Sequence, residues 1–239
     1  MAALLSCFLL TGTAAGTDSK EEAREIIGRY YKATRLDRFA DSLSGSYYFE
    51  RFHLQGTAVV ETKVYVTYPD KFRIEASQHD GKLVMVTDGE RGWIKTPGEP
   101  TKELEPEMVR VIPSLYDIFD MLMLRDTVLS FKLDGRHRDG DRELWKVEVT
   151  DNTPESTAPV SHFYFDRNTG MLDRAETEVN SGERKVATGM TFRNYEKFND
   201  FTLPTEIIMY MEGATQIVIN TIEVKTIEHP SEKLFTRPE

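Results

Sequence analysis

The sequence has little of what covalent or metal chemistry requires. Its 239 residues include one cysteine, Cys7, and five histidines, none of them paired at the H-x-x-x-H spacing of a metal site. The G-x-S-x-G, G-x-G-x-x-G and Walker motifs are absent. The alternating Glu103, Glu105 and Glu107 are typical of a solvated rim rather than a catalytic carboxylate pair. The sequence therefore predicts a protein that is not an enzyme and uses no metal or cofactor.

An excess of positive charge is also missing. The chain carries 30 Lys and Arg against 40 Asp and Glu, a net charge of −10. The short basic run at residues 136–138 is flanked by Asp134 and Asp139. Nucleic-acid-binding proteins normally present a basic patch, so the composition argues against a nucleic-acid partner. Hydrophobic residues at 39% and charged residues at 29% are typical of a soluble globular domain.

Residues 2–10 are apolar but far too few for the ~20 that a membrane-spanning helix needs. Small residues follow at positions 13–16, as before a signal-peptidase site. We therefore predict a signal peptide over residues 1–16, one domain over residues 17–239, and a location in the periplasm. Cleavage there would remove Cys7, which excludes disulfides and thiol catalysis.

Two other interpretations of the N-terminus stay open. Residues 4–7, Leu-Leu-Ser-Cys, resemble a lipobox, which would make the protein an outer-membrane lipoprotein anchored through Cys7. The apolar run continues to Leu10, whereas a mature lipoprotein normally turns polar there, so we favour export without an anchor. No Lys or Arg precedes Lys20, so either the true start codon lies upstream or the segment is buried or disordered rather than cleaved.

From Ser46 onward, apolar and polar residues alternate in period two through about ten segments separated by turn signals such as Asp88-Gly89. Two segments have helical periodicity instead. One follows a capping box at residues 19–22, and the other spans residues 106–124, where Leu115, Ile118, Phe119 and Leu122 share one face. The fold class predicted is mainly β (α+β), a large antiparallel sheet whose apolar face is covered by helices.

Several short motifs occur in one order along the chain. They are Tyr-Pro-Asp-Lys-Phe-Arg-Ile-Glu at 68–75, Asp-Gly at 88–89 before Trp93, Phe-Asp-Arg-Asn-Thr-Gly-Met-Leu at 165–172, Tyr195 to Leu203-Pro204, and Phe235 to Pro238. Together they resemble the outer-membrane lipoprotein carrier and sorting family, the LolA/LolB-like proteins. The resemblance implies a curved half-barrel with helices over its concave face. It also implies a hydrophobic cavity between them that holds acyl chains.

This chain differs from the family pattern at one position. The carrier has an arginine before the proline of its first motif, whereas this chain has Tyr68. A broader lipid-binding relative is therefore favoured over the lipoprotein shuttle itself. Apolar residues on the predicted inner face have two interpretations, an ordinary core or the lining of a cavity and its lid. The residues that we predict to bind ligand in the cavity and lid are Phe72, Ile74, Met85, Trp93, Leu115, Ile118, Phe119, Leu122, Phe131, Trp145, Phe163, Phe165, Met190, Phe192 and Met209.

The function predicted is that of a periplasmic binding or carrier protein that holds acyl chains of a lipid or lipoprotein, in outer-membrane lipoprotein sorting or lipid transport. Its partners would be those acyl chains and an envelope transport or acceptor protein. The alternative is a periplasmic sensor domain that detects lipids or mislocalised lipoproteins. That role would require a surface for a protein partner.

Overall fold

The structure is a computed structural model that describes residues 15–39, 44–109, 119, 122, 124, 129–152, 160–181, 184–212 and 214–239. It contains one long helix, two 3-10 helices and thirteen strands. The helices are α1 (Ala15–Thr34) and the 3-10 helices Leu36–Phe39 and Glu232–Phe235. The strands are β1 (Ser46–Gln55), β2 (Ala58–Thr67), β3 (Lys71–Gln78), β4 (Gly81–Thr87), β5 (Gly92–Lys95), β6 (Lys102–Glu103), β7 (Leu129–Asp139), β8 (Arg142–Asp151), β9 (Ser161–Asp166), β10 (Leu172–Ser181), β11 (Arg184–Phe198), β12 (Phe201–Met211) and β13 (Ala214–Thr226).

All thirteen strands form one curved antiparallel sheet that does not close, in the order β6-β5-β4-β3-β2-β1-β13-β12-β11-β10-β9-β8-β7. The predicted fold class is therefore confirmed. Strands β6 and β7 follow one another in the chain but lie at the two opposite edges of the sheet. We call residues 104–128 the crossing segment, after its described residues Phe119, Leu122 and Leu124, which are buried in the main core. Phe119, from that segment, lies against Tyr47 of β1 and Phe201 of β12, near the middle of the sheet.

One face of the sheet, which we call the inner face, packs against α1 and the crossing segment. In α1, Ala23, Ile26, Ile27 and Tyr30 are buried, and the Tyr30 ring lies 5.7 Å from that of Phe165. The predicted helix after residue 19 is thus confirmed, but the capping box is wrong, because Ala15 is already helical and Ser19 lies inside the helix. Of the predicted helix at 106–124, residues 106–109, Phe119 and Leu122 are helical, whereas Leu124 is buried but not helical, and the others lie outside the described residues.

A second, smaller apolar cluster occupies the opposite face. Val84 and Val86 of β4 and Trp93 of β5 pack there against Phe235 of the last 3-10 helix. Strand β4 is apolar at four consecutive residues, Leu83 to Val86. Its residues Leu83 and Met85 face inward while Val84 and Val86 lie under the C-terminal segment, so both sides of this strand are covered.

Candidate functional site

A row of apolar side chains crosses seven adjacent strands on the inner face. Each residue lies directly opposite the next in the strand register, from β7 at the sheet edge to β13. We call this set the apolar row: Leu133, Val147, Phe163, Ala175, Met190, Met209 and Ile217. Since neighbouring strands lie about 4.8 Å apart, the row is about 29 Å long along the curved sheet.

The apolar row is only partly covered by the rest of the protein. Val147 and Ala175 are buried, whereas Phe163, Met190 and Met209 keep intermediate exposure while packing against the main core. Two of these residues are methionines, whose unbranched, polarizable side chains adapt to irregular partners. The row is therefore covered at Val147 and Ala175, and its accessible part, at Phe163, Met190 and Met209, is apolar and deformable.

Beside this row, the centre of the inner face is filled by aromatic side chains. Phe119 is fully buried, and its ring lies 4.9 Å from Tyr47, 5.3 Å from Phe49 and 4.8 Å from Phe201. Leu122 is also fully buried, and the Tyr30 hydroxyl donates a hydrogen bond to its carbonyl oxygen at 3.3 Å. These contacts hold the crossing segment against the sheet as a packed core.

Most of the residues predicted to bind ligand come together on the inner face. Seven are buried in the main core: Phe72, Ile74, Phe119, Leu122, Phe131, Phe165 and Phe192. Five are partly buried and pack against it: Met85, Trp145, Phe163, Met190 and Met209. Leu115 and Ile118 lie outside the described residues.

Trp93 does not join this face. Strand β5 pairs with β4 so that Trp93 lies opposite Val86, and both side chains belong to the cluster under Phe235. The prediction that Trp93 lines the same cavity is therefore wrong. Both Trp93 and its neighbour Ile94 are apolar, so alternation alone could not decide which of them faces inward.

The sequence prediction missed two polar residues on the inner face, Arg51 and His53. Both follow Tyr47 and Phe49 at period two on β1, which is the signal that could have identified them. Arg51 is buried, with its guanidinium carbon 5.1 Å from the centre of the Phe49 ring. The His53 Nε2 atom lies 2.9 Å from the Thr62 hydroxyl oxygen. Burial, and secondly the nearby Arg51 charge, lower the pKa of His53 to about 4.

This lowered pKa predicts a dependence of stability on pH. The folded-state pKa of about 4 lies below the unfolded value of about 6.5, so the unfolded chain binds more protons between these two values. The stability due to neutral His53 is thus present above pH 6.5 and lost as the pH falls towards 4. Allowing for its partial exposure, we expect this residue to account for a loss of about 2 kcal/mol.

Urea melts of the wild type and His53→Gln at several pH values between 4 and 7 measure this effect. The wild type should lose more stability on acidification than the variant. Replacement of the exposed His79 by Gln is the control and should leave the pH profile unchanged. Identical profiles for the wild type and His53→Gln would show that His53 is not responsible.

The described part of the chain contains neither a metal-ligand group nor a membrane-spanning helix. No group of three or more His, Cys, Asp or Glu side chains within it could hold a metal ion. None of its helices is long and apolar enough to cross a bilayer. A cavity of about 670 Å³ lies along β10 and β11, but the arginines that line it, Arg142, Arg174 and Arg193, all form ion pairs with carboxylates.

Comparison with solved structures identifies the fold. A LolA superfamily protein from Nitrosomonas europaea is 14% identical with a TM-score of 0.57, over 90% of this chain and 97% of that one. A putative outer membrane lipoprotein-sorting protein domain from Vibrio parahaemolyticus is 13% identical with a TM-score of 0.58, over 90% and 97%. A DUF1329 family protein from Desulfovibrio piger is 15% identical with a TM-score of 0.58, over 88% and 97%.

No family model matches the chain, and no curated protein matches it. At these identities the structural likeness concerns the fold alone. The resemblance drawn from the sequence motifs is confirmed at that level, since the chain has the LolA-like half-barrel.

Proposed function

We propose, taking the LolA-like fold as the starting point, that this protein is a periplasmic carrier that holds an acyl chain of a lipid or lipoprotein. The observation that carries the proposal is the apolar row. Its residues are in register across seven strands, and several of them are only partly covered. An acyl chain in one bilayer leaflet occupies about half of the ~30 Å hydrocarbon thickness, so the row is long enough to hold it.

The same proposal defines the protein's place in the cell and its partners. Residues 1–16 act as a signal peptide and residues 17–239 form the carrier domain, which performs no catalysis. Each methylene group buried on the row contributes about 0.8 kcal/mol, so a chain of ordinary length binds without any polar contact. Delivery of the lipid to an envelope acceptor protein would complete its role in lipid transport or lipoprotein sorting.

A charge placed on the apolar row tests this function. Met209 and Ile208 are neighbours on β12 with similar exposure, but the strand alternation puts them on opposite faces. We expect the wild type to take up a fluorescent fatty-acyl probe. Met209→Lys should weaken that uptake at least tenfold, because the ammonium must be desolvated beside the chain.

Ile208→Lys is the matched control and should bind the probe as the wild type does. Fluorescence titrations, with circular dichroism to verify folding, give both results. Failure of the wild type to bind any acyl probe would reject the carrier function. Equal loss in both variants would show that the row is not the binding surface.

A further inference from the structure

A separate cavity lies at the β7 end of the apolar row, between α1 and the sheet edge. It has a volume of about 460 Å³ and shares Leu133 with the row. Its lining comes from two sides and includes Glu22, Glu25, Ile26 and Arg29 on α1 and Leu133, Arg136 and Trp145 on β7 and β8. Helix α1 packs directly on β7, which brings these residues together although they are more than 100 positions apart.

The sheet side of this cavity offers unused hydrogen-bond donors. The Trp145 Nε1 atom is buried and has no hydrogen-bond partner among the residues that the structure describes. The Arg136 guanidinium lies 5.3 Å from the centre of the Trp145 ring and forms no ion pair within the same part of the chain. A buried donor without an acceptor is unfavourable, so an acceptor supplied by a ligand would be stabilising here.

The other cations near the cavity are already engaged. Arg29 donates to the carbonyl oxygen of Arg167 at 2.8 Å. Arg167 forms an ion pair with Glu143 and lies 4.6 Å from the centre of the Trp145 ring. Two guanidinium groups, those of Arg136 and Arg167, therefore lie close to the Trp145 indole.

The helix side carries two carboxylates beside Arg29, whose guanidinium is hydrogen-bonded to the Arg167 carbonyl oxygen. Glu22 and Glu25 line the cavity from α1, are exposed, and form no ion pair with any residue in the described ranges. A cation and a buried N–H group on one wall thus face two carboxylates on the other. A ligand group that satisfies both walls must itself carry a negative and a positive charge.

We propose that this cavity binds the zwitterionic head of a phospholipid whose ammonium group is primary, as in phosphoethanolamine. The inference rests on the carrier function proposed above. The phosphate accepts hydrogen bonds from Trp145 Nε1 and Arg136, the ammonium donates to Glu22 and Glu25, and the acyl chain enters the row at Leu133. A quaternary ammonium would instead require free aromatic faces, whereas guanidinium groups already lie against the ring of Trp145.

Displacement of a fluorescent fatty-acyl probe by single-chain lipids of one chain length tests this assignment. The competitors are lysophospholipids with ethanolamine, choline or glycerol heads, and the free fatty acid. We expect the ethanolamine lipid to bind at least tenfold more tightly than each of the other three. A glycerol head leaves the carboxylates of Glu22 and Glu25 unpaired, and the carboxylate of a fatty acid is repelled by them.

Variants on each wall separate the two contacts. Glu22→Gln combined with Glu25→Gln should abolish the preference for ethanolamine over glycerol without weakening fatty-acid binding, because the two carboxylates that repel the fatty acid are removed. Trp145→Phe keeps an aromatic ring and removes the N–H donor. This variant and Arg136→Gln should each lower the affinity for the ethanolamine lipid about tenfold. Glu21→Gln and Arg138→Gln are the matched controls outside the cavity and should change nothing.

Equal affinity for all four competitors would overturn the head-group site and leave the carrier function standing. Normal ethanolamine preference in the variants would overturn it as well. Absence of binding by every lipid and by the probe would overturn the carrier function and, with it, this inference.

Discussion

Phe119→Ala is expected to lower the free energy of unfolding by about 3–5 kcal/mol, the range found when a buried phenylalanine is truncated. The Phe119 side chain is fully buried and lies between three rings, those of Tyr47, Phe49 and Phe201. Removing it leaves a void that strands β1 and β12 cannot close, because their spacing is fixed by backbone hydrogen bonds through β13. Denaturant unfolding at neutral pH measures the loss.

Phe163→Ala is the matched comparison for this prediction. Phe163 also faces inward, but it lies on the apolar row and is only partly buried. Its truncation should cost clearly less stability than that of Phe119 and should weaken uptake of the fluorescent fatty-acyl probe. A loss below about 1 kcal/mol for Phe119→Ala would mean that the crossing segment is not part of the core.

The contrast separates two kinds of apolar residue on one face. The aromatic centre around Phe119 stabilises the fold, whereas the partly covered row beside it is the surface that we propose binds a chain. The sequence left open whether these side chains form a core or line a cavity. The structure favours a division of the face, with the core at its centre and the proposed binding surface along the row.

Gly189→Ala is expected to destabilise the protein by about 3 kcal/mol, at the upper end of the range for overpacking. A Cβ atom at this position would lie 2.4 Å from the carbonyl oxygen of Ala175 and 2.6 Å from the hydroxyl oxygen of Tyr210. The Tyr210 side chain crosses over Gly189 to donate a hydrogen bond to Glu176 at 3.0 Å. Relief of the clash requires separation of strands β10 and β11 as well as displacement of this tyrosine.

Gly28→Ala is the control variant, and its expected change in the free energy of unfolding has the opposite sign. Gly28 lies inside α1, and apart from the helix's own backbone no atom of the residues that the structure describes would come within 4 Å of a Cβ added there. Alanine is the better helix former, so this variant should gain about 0.5–1 kcal/mol. Thermal or urea melts of the two variants measure both shifts. Unchanged stability of Gly189→Ala would show that Tyr210 does not lie over this glycine in solution.

The sequence by itself determined about ten of the thirteen strands and, for most of them, which side chains share a face. The reason is local, since successive residues of a strand point to opposite faces whatever the strand pairs with. Phe131, Phe163, Met190, Phe192 and Met209 were assigned to one face on that basis, and the structure places them there. The rule failed at Trp93, because strand β5 has apolar residues on both sides.

Only the tertiary structure decided which residues become neighbours across strands. The apolar row depends on the registers of six strand pairs, which no local pattern encodes. Its end cavity depends on α1 packing against β7, so that Glu22 and Glu25 come to line the same cavity as Arg136 and Trp145. Contacts between residues so far apart in the chain are set by packing of the whole sheet. The sequence pattern of each segment does not predict them.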